Sequence, residues 1–310
     1  MKFHQLKNSW LVVIGAICLQ GCATTSPVEA SDAALSELSA ENLDLLFATE
    51  FPVASKEEAM IKAKLAYGEG EFDKAQLYLV RALKFDIGDT DLLAQIGNLH
   101  VQQNNGKLAA RAFHLALEQQ SQHPPSLEGL GLLYFKAGND DKAREYLELA
   151  IASAPNLWRS YNALGVIADR DENFDLAQFY YDAALEIQPL ADIVLVNRGY
   201  SKYLNKDYEA AARDFYDVTE RSNNNRAWRN LALVYATQGW YDDALETFLR
   251  VEDERDAYNA TGAIAMENGD VDEAYHYLSE AVRLSPTYFA QAEKNLAQLR
   301  KQDSRSYINQ

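Results

Sequence analysis

A small residue returning at a fixed interval constrains this chain more than any other feature. Ala63, Gly97, Gly131, Gly165, Gly199, Ala232 and Gly262 stand 34, 34, 34, 34, 33 and 30 residues apart. Twelve residues later a second series keeps the same interval: Ala75, Ala109, Ala143, Ala177, Ala211, Ala244 and Ala274. Self-similarity at such a period describes helical hairpins that cannot bury their apolar faces alone and must stack on their neighbours. The expected body is therefore an all-α array of about seven helix-turn-helix units over residues 53–286.

Counting the opening glycine or alanine as position 8, the third unit reads Leu127, Leu130, Gly131, Tyr134, Ala143, Leu147, Ala150, Pro155. The fourth reads Tyr161, Leu164, Gly165, Ala168, Ala177, Tyr181, Ala184, Pro189. These residues occupy positions 4, 7, 8, 11, 20, 24, 27 and 32 of the unit, and the sixth unit adds Trp228 at position 4. The pattern resembles the tetratricopeptide repeat (TPR), which implies a solenoid wound as a right-handed superhelix with capping helices at its ends. Glycine inside a helix costs about 1 kcal/mol relative to alanine, so its return needs a packing reason. The expected reason is close approach of the first helix to the position-20 alanine of its own hairpin, with large residues at positions 4, 11 and 24 filling the space between hairpins. Pro155, Pro189 and Pro286 are expected to end their second helices, since proline lacks the donor and blocks the preceding turn.

The N-terminus has a different character. Lys2 and Lys7 precede the apolar stretch Trp10 to Leu19, too short for a permanent span, so residues 1–21 read as an export signal. Leu19-Gln20-Gly21-Cys22 resembles the lipobox of bacterial lipoproteins. That resemblance implies cleavage before Cys22 and acylation of its sulfur, and two or more acyl chains hold a protein stably on a membrane. In Gram-negative lipoproteins an Asp after the acylated cysteine commonly retains the protein at the inner membrane. Ala23 stands there, which implies the periplasmic face of the outer membrane. Loss of the signal would leave 27 basic against 46 acidic residues, taking the formal charge from -17 to about -19. So acidic a surface repels a phosphate backbone and argues against nucleic acid.

Residues 22–52 are expected to form a polar linker followed by an amphipathic helix with Leu35, Leu38, Leu43, Leu46 and Phe47, covering the apolar edge of the first unit or docking a partner. Residues 287–310 are expected to form a C-terminal capping helix with Phe289, Ala292, Leu296 and Leu299, then a frayed tail. Two irregularities interrupt the rhythm. Ser222 to Asn225 replace the proline of the fifth unit, and four residues are lost around Glu252 to Arg255, so the array is expected to be least regular there.

No phosphate loop, nucleophile elbow, metalloprotease helix or calcium loop occurs in the sequence, and His100, His114, His123 and His276 share no metal-ligand spacing. His100, at position 11, is expected to pack in the core. The chain is read as no enzyme, with no catalytic residue, metal or cofactor. What remains is surface. In TPR proteins positions 2, 5, 9, 12 and 13 of the first helix line the ligand groove. That resemblance nominates Asn162, Val166 and Asp169 in the fourth unit, Val196, Tyr200 and Tyr203 in the fifth, and Arg226, Arg229 and Leu233 in the sixth. Tyr and Arg are typical of binding hot spots, and Arg226 with Arg229 would form a positive spot for a carboxylate.

The stretch Asn230 to Ala244 (NLALVYATQGWYDDA), preceded by Asn197-Arg198-Gly199-Tyr200-Ser201, resembles the TadD lipoproteins of the Tad (Flp pilus) assembly apparatus. One departure is Trp228, which stands where that family carries an arginine. The resemblance implies a pilotin-like or scaffolding role with an outer-membrane secretin or another pilus component as protein partner. Two alternatives stay open: an adaptor recruiting peptidoglycan hydrolases or proteases, and a pilotin of a type IV pilus or type II secretion system.

Overall fold

The computed structural model describes residues 52–285 and 289–308, with backbone alone over 301–308. The expectations placed on residues 1–51, Cys22 and the first amphipathic segment included, lie outside the described residues, as does Pro286. Among the described residues the secondary structure is entirely helical, and the helices come in the pairs that the 34-residue interval demands. The first repeat is α1 (Lys56–Gly68) with α2 (Phe72–Leu83), and the second is α3 (Thr90–Gln102) with α4 (Gly106–Gln119). The third supplies α5 (Pro124–Lys136) and α6 (Asp140–Ser153), and the fourth α7 (Trp158–Arg170) and α8 (Phe174–Ile187). Then follow α9 (Asp192–Leu204) with α10 (Tyr208–Thr219), α11 (Asn225–Thr237) with α12 (Tyr241–Phe248), and α13 (Glu254–Asn268) with α14 (Val271–Arg283). A final helix, α15 (Ala290–Ile308), lies against α13 and α14. The chain divides into two compact units after Asn139, the first holding α1 to α5 and the second α6 to α15.

Both small-residue series are explained by burial, but their partners differ from the expected ones. The seven position-20 alanines are at most 1% exposed. Four of the five glycines of position 8, however, meet the side chain at position 24 of the second helix. A Cβ on Gly97 would stand 2.5 Å from the Phe113 ring, one on Gly165 2.6 Å from Tyr181, one on Gly199 2.7 Å from Phe215 and one on Gly262 2.8 Å from Leu278. In these four repeats the position-24 side chain fills its own hairpin, lying in the space a missing side chain leaves, and it is the nearest neighbour of the glycine.

A third series emerges at the turn inside each repeat. Position 15 is left-handed in all seven: Gly70 (φ 76°), Asn104 (62°), Gly138 (75°), Glu172 (57°), Lys206 (66°), Gly239 (80°) and Gly269 (88°). In each case the next residue's N–H reaches back to the carbonyl at position 11, as in Asn105 to His100 at 2.8 Å and Asp207 to Lys202 at 2.9 Å. This six-to-one bond closes the first helix and reverses the chain. Four of the seven are glycine, which enters this region freely, whereas Glu172 and Lys206 carry a Cβ into it at a cost of about 1 kcal/mol. Replacing either with Gly is expected to raise unfolding stability by about 0.5–1 kcal/mol, with part of the strain relief offset by backbone entropy. A higher denaturation midpoint checks this, and an unchanged or lower one contradicts it.

The irregular places have local causes. Asn224, in the stretch that replaces proline, caps α11 by accepting from the N–H groups of Arg226 and Ala227, both at 3.1 Å. The four missing residues shorten the second helix of the sixth repeat: α12 has 8 residues, where α10 and α14 have 12 and 13. Asp253 then starts α13 by accepting from Asp256 N–H at 2.9 Å. At the C-terminal end, Leu296 and Leu299 join Tyr277 and Leu278 in one buried cluster.

Candidate protein-binding face

In the second unit the first helices of successive repeats touch one another, α7 against α9 and α9 against α11. Polar side chains bridge both junctions. Asn197 donates its amide to Asn162 Oδ1 at 3.0 Å, Ser201 donates to Asp169 Oδ1 at 2.5 Å, and the hydroxyls of Tyr203 and Thr237 meet at 3.1 Å. From α8, the otherwise buried Tyr181 donates its hydroxyl to the other oxygen of Asp169 at 2.7 Å. Asp169 thereby ties its own helix, α7, to α8 and α9. Burial pushes its carboxyl above the ordinary value, with the Ser201 and Tyr181 hydroxyls pulling the other way. Burial likewise raises the Tyr200 and Tyr203 phenols, which remain neutral donors near pH 7.

Tyr200 and Tyr203 stack with ring centroids 6.0 Å apart and planes 23° from parallel. Arg226 is exposed and close enough to act electrostatically on both Tyr200 and Tyr181. Among the described residues it forms no ion pair, unlike its neighbour. Arg229 is bound by Glu252. The structure therefore brings together Asp169, Tyr200, Tyr203 and Arg226, with half-buried Asn162 and Val166 on α7 and Leu233 on α11.

Two nominated residues are corrected. Val196 is 1% exposed and packs with Leu195, Ala211, Phe215 and Val218, so it presents no surface to a ligand. Arg229 spends its charge on Glu252, which reduces the expected pair of arginines to Arg226 alone. Sequence reasoning also missed Tyr181, Ser201 and Thr237. A signal was present for Ser201: position 10 is apolar elsewhere, as Leu99, Ile167, Val234 and Ile264, and a hydroxyl in that column needs a polar partner.

His100 is 5% exposed, in keeping with a core place, and burial lowers its pKa. His123 deserves comparison with a nucleophile site, since its Nδ1 lies 2.9 Å from Ser126 Oγ and its Nε2 3.1 Å from Asp91 Oδ1. Ser126 is 0% exposed, so no substrate reaches its oxygen, and the contact instead fastens the first turn of α5.

Comparison with known proteins bears on the repeats themselves. Tetratricopeptide repeat models match residues 95–157, 162–225, 219–257 and 256–288. The BBSome complex member BBS4 of Bos taurus is 27% identical over 227 residues, 69% of this chain but only 42% of the relative. A TPR protein from Parabacteroides merdae superposes with TM-score 0.54 at 18% identity, covering 80% of this chain and 99% of the other. PilW, described as a widely conserved type IV pilus biogenesis factor, gives 0.55 at 18% identity over 67% of this chain and 98% of its own. PilF of Pseudomonas aeruginosa gives 0.52 at 18% identity over 67% and 97%. With more than half of its residues matched by these repeat models, the chain belongs to the tetratricopeptide repeat family, whose tandem helical hairpins are scaffolds for binding other proteins.

Proposed function

We propose that this protein is a lipid-anchored scaffold on the periplasmic face of the outer membrane, and that its α7, α9 and α11 face captures a protein component of a Tad/Flp pilus apparatus, such as the secretin. One observation carries the binding reading: the exposed Arg226, without an ion pair among the described residues, beside the stacked Tyr200 and Tyr203. In a chain of net charge -17, that guanidinium marks where an acidic or carboxylate-bearing segment is tolerated, and the tyrosines offer rigid apolar area beside it. The lipobox ending at Cys22 supports the anchor, and the likeness of residues 160–250 to TadD lipoproteins supports the pilus system. The fold shared with PilW is compatible with that reading.

Arg226→Glu is expected to weaken capture of the partner by about 30-fold, the measure of a 2 kcal/mol hot spot, without lowering the melting temperature. Photocrosslinking from Tyr203 in cells identifies the captured protein. Deleting the gene is expected to deplete secretin multimers from outer membranes, and Cys22→Ser to move the protein from the membrane to the soluble fraction. Unchanged multimers and pili overturn the pilus assignment, and altered cell-wall hydrolase activity would point to the adaptor instead.

A further inference from the structure

The first repeat lacks a neighbour that the others have. Position 10 of a first helix packs against the repeat before it: Leu99 lies in one cluster with Ala63 and Leu79, Val234 with Val196 and Phe215, and Ile264 with Ala232 and Ala236. These three side chains are 2%, 2% and 6% exposed. In α1 the corresponding residue is Leu65, which is 61% exposed, and Ile61 one turn earlier is also 61% exposed. The same face that buries a core residue in later repeats is open here, and two large aliphatic side chains stand on it.

Three further observations name its occupant. The chain enters α1 from alongside: the Pro52 carbonyl accepts from Lys62 Nζ at 3.3 Å, and Val53 packs on the cluster that holds Ala59 and Ala63. Residues 31–51 lie immediately before Pro52 in sequence. They carry Asp32, Glu37, Glu41, Asp44 and Glu50 with no lysine or arginine, while Lys64 of α1 adjoins Leu65 in sequence; Lys62, next to Ile61, is already paired with Glu58 at 2.7 Å. Their apolar residues, Leu35, Leu38, Leu43, Leu46 and Phe47, fall at near-helical spacing. A helix of that length reaches about 30 Å, more than the roughly 20 Å of α1. A tethered segment also competes at an effective concentration in the millimolar range, which a second copy or a dilute partner does not match.

We propose that residues 31–51 pack on the Ile61 and Leu65 face of α1, supplying the first repeat with the neighbour that each later first helix finds in the preceding repeat. The segment is then a cap of the array and is unavailable as a docking arm while it is seated.

Alkylation of an introduced cysteine in the purified full-length chain tests this, with the modified peptide identified by mass so that Cys18 and Cys22 do not interfere. Leu65→Cys is expected to react at least about tenfold more slowly than Ile87→Cys, a reference site 79% exposed, at every protein concentration. Adding Leu43→Asp and Leu46→Asp is expected to restore fast reaction at Leu65→Cys. Equal rates for Leu65→Cys and Ile87→Cys overturn the proposal. So does protection that survives the two aspartates, and protection that disappears on dilution identifies a second copy of the chain as the occupant instead.

Discussion

Phe113→Ala is expected to lower stability by about 3–5 kcal/mol, the usual loss when a buried aromatic ring leaves a cavity that its surroundings cannot close. The ring is 0% exposed and sits between two backbones that have no side chains to relax into the space. On one side is Gly97 of its own hairpin and on the other Gly129 of α5, where added Cβ atoms would stand 2.5 Å and 2.3 Å from it. The same sandwich makes Gly97→Ala costly, by about 1–3 kcal/mol, because the ring is blocked on its far side and cannot move away. Pairing Gly97→Ala with Phe113→Leu is expected to recover most of that loss. The first repeat carries this combination naturally, as Ala63 with Leu79, and buries both. Chemical denaturation followed by circular dichroism measures the set. A double variant no more stable than Gly97→Ala alone would refute the assignment of position 24 as the glycine's partner.

That partnership shows where the sequence was legible and where it was not. The interval located seven hairpins, because a stacked repeat must return to the same contact at the same residue, and α15 was legible in the spacing of Phe289, Ala292, Leu296 and Leu299. Which residue the glycine met was hidden, since positions 20 and 24 both lie on the apolar stripe of the second helix and periodicity alone does not separate them. The position-15 series was visible in Gly70, Gly138, Gly239 and Gly269, but Asn104, Glu172 and Lys206 broke it up. At the binding face the limits are of another kind. Positions 2, 5, 9 and 12 indicate the side of a helix and say nothing of depth, so Val196 at position 5 is buried while Arg229 at position 5 of the next repeat is exposed. The Arg229 to Glu252 pair depends on the shortened turn after α12, whose course no periodic pattern records.

The second large effect is expected at Asp214, where three helices converge. Asp214 on α10 is 4% exposed and accepts two parallel bonds from Arg198 of α9, from Nε at 2.9 Å and from Nη2 at 2.7 Å. Lys202, one turn further along α9, adds a bond to it at 2.8 Å. Arg198 also reaches Asp182 of α8 at 2.7 Å, and Gln178 holds that carboxylate in place. Asp214→Ala is expected to cost about 3–5 kcal/mol, because it strands two largely desolvated cations with only the more exposed Asp182 left to answer them. The loss reflects uncompensated charge and not the worth of the pairs. Replacing Arg198 and Lys202 with Met and Asp214 with Leu together is therefore expected to restore most of the stability. Since the partners are shielded from solvent, the cost of Asp214→Ala should change little with added salt, whereas an exposed pair such as Arg213 with Glu209 should be screened. If Asp214→Ala and the apolar triple variant prove equally unstable, shape rather than charge balance governs this junction.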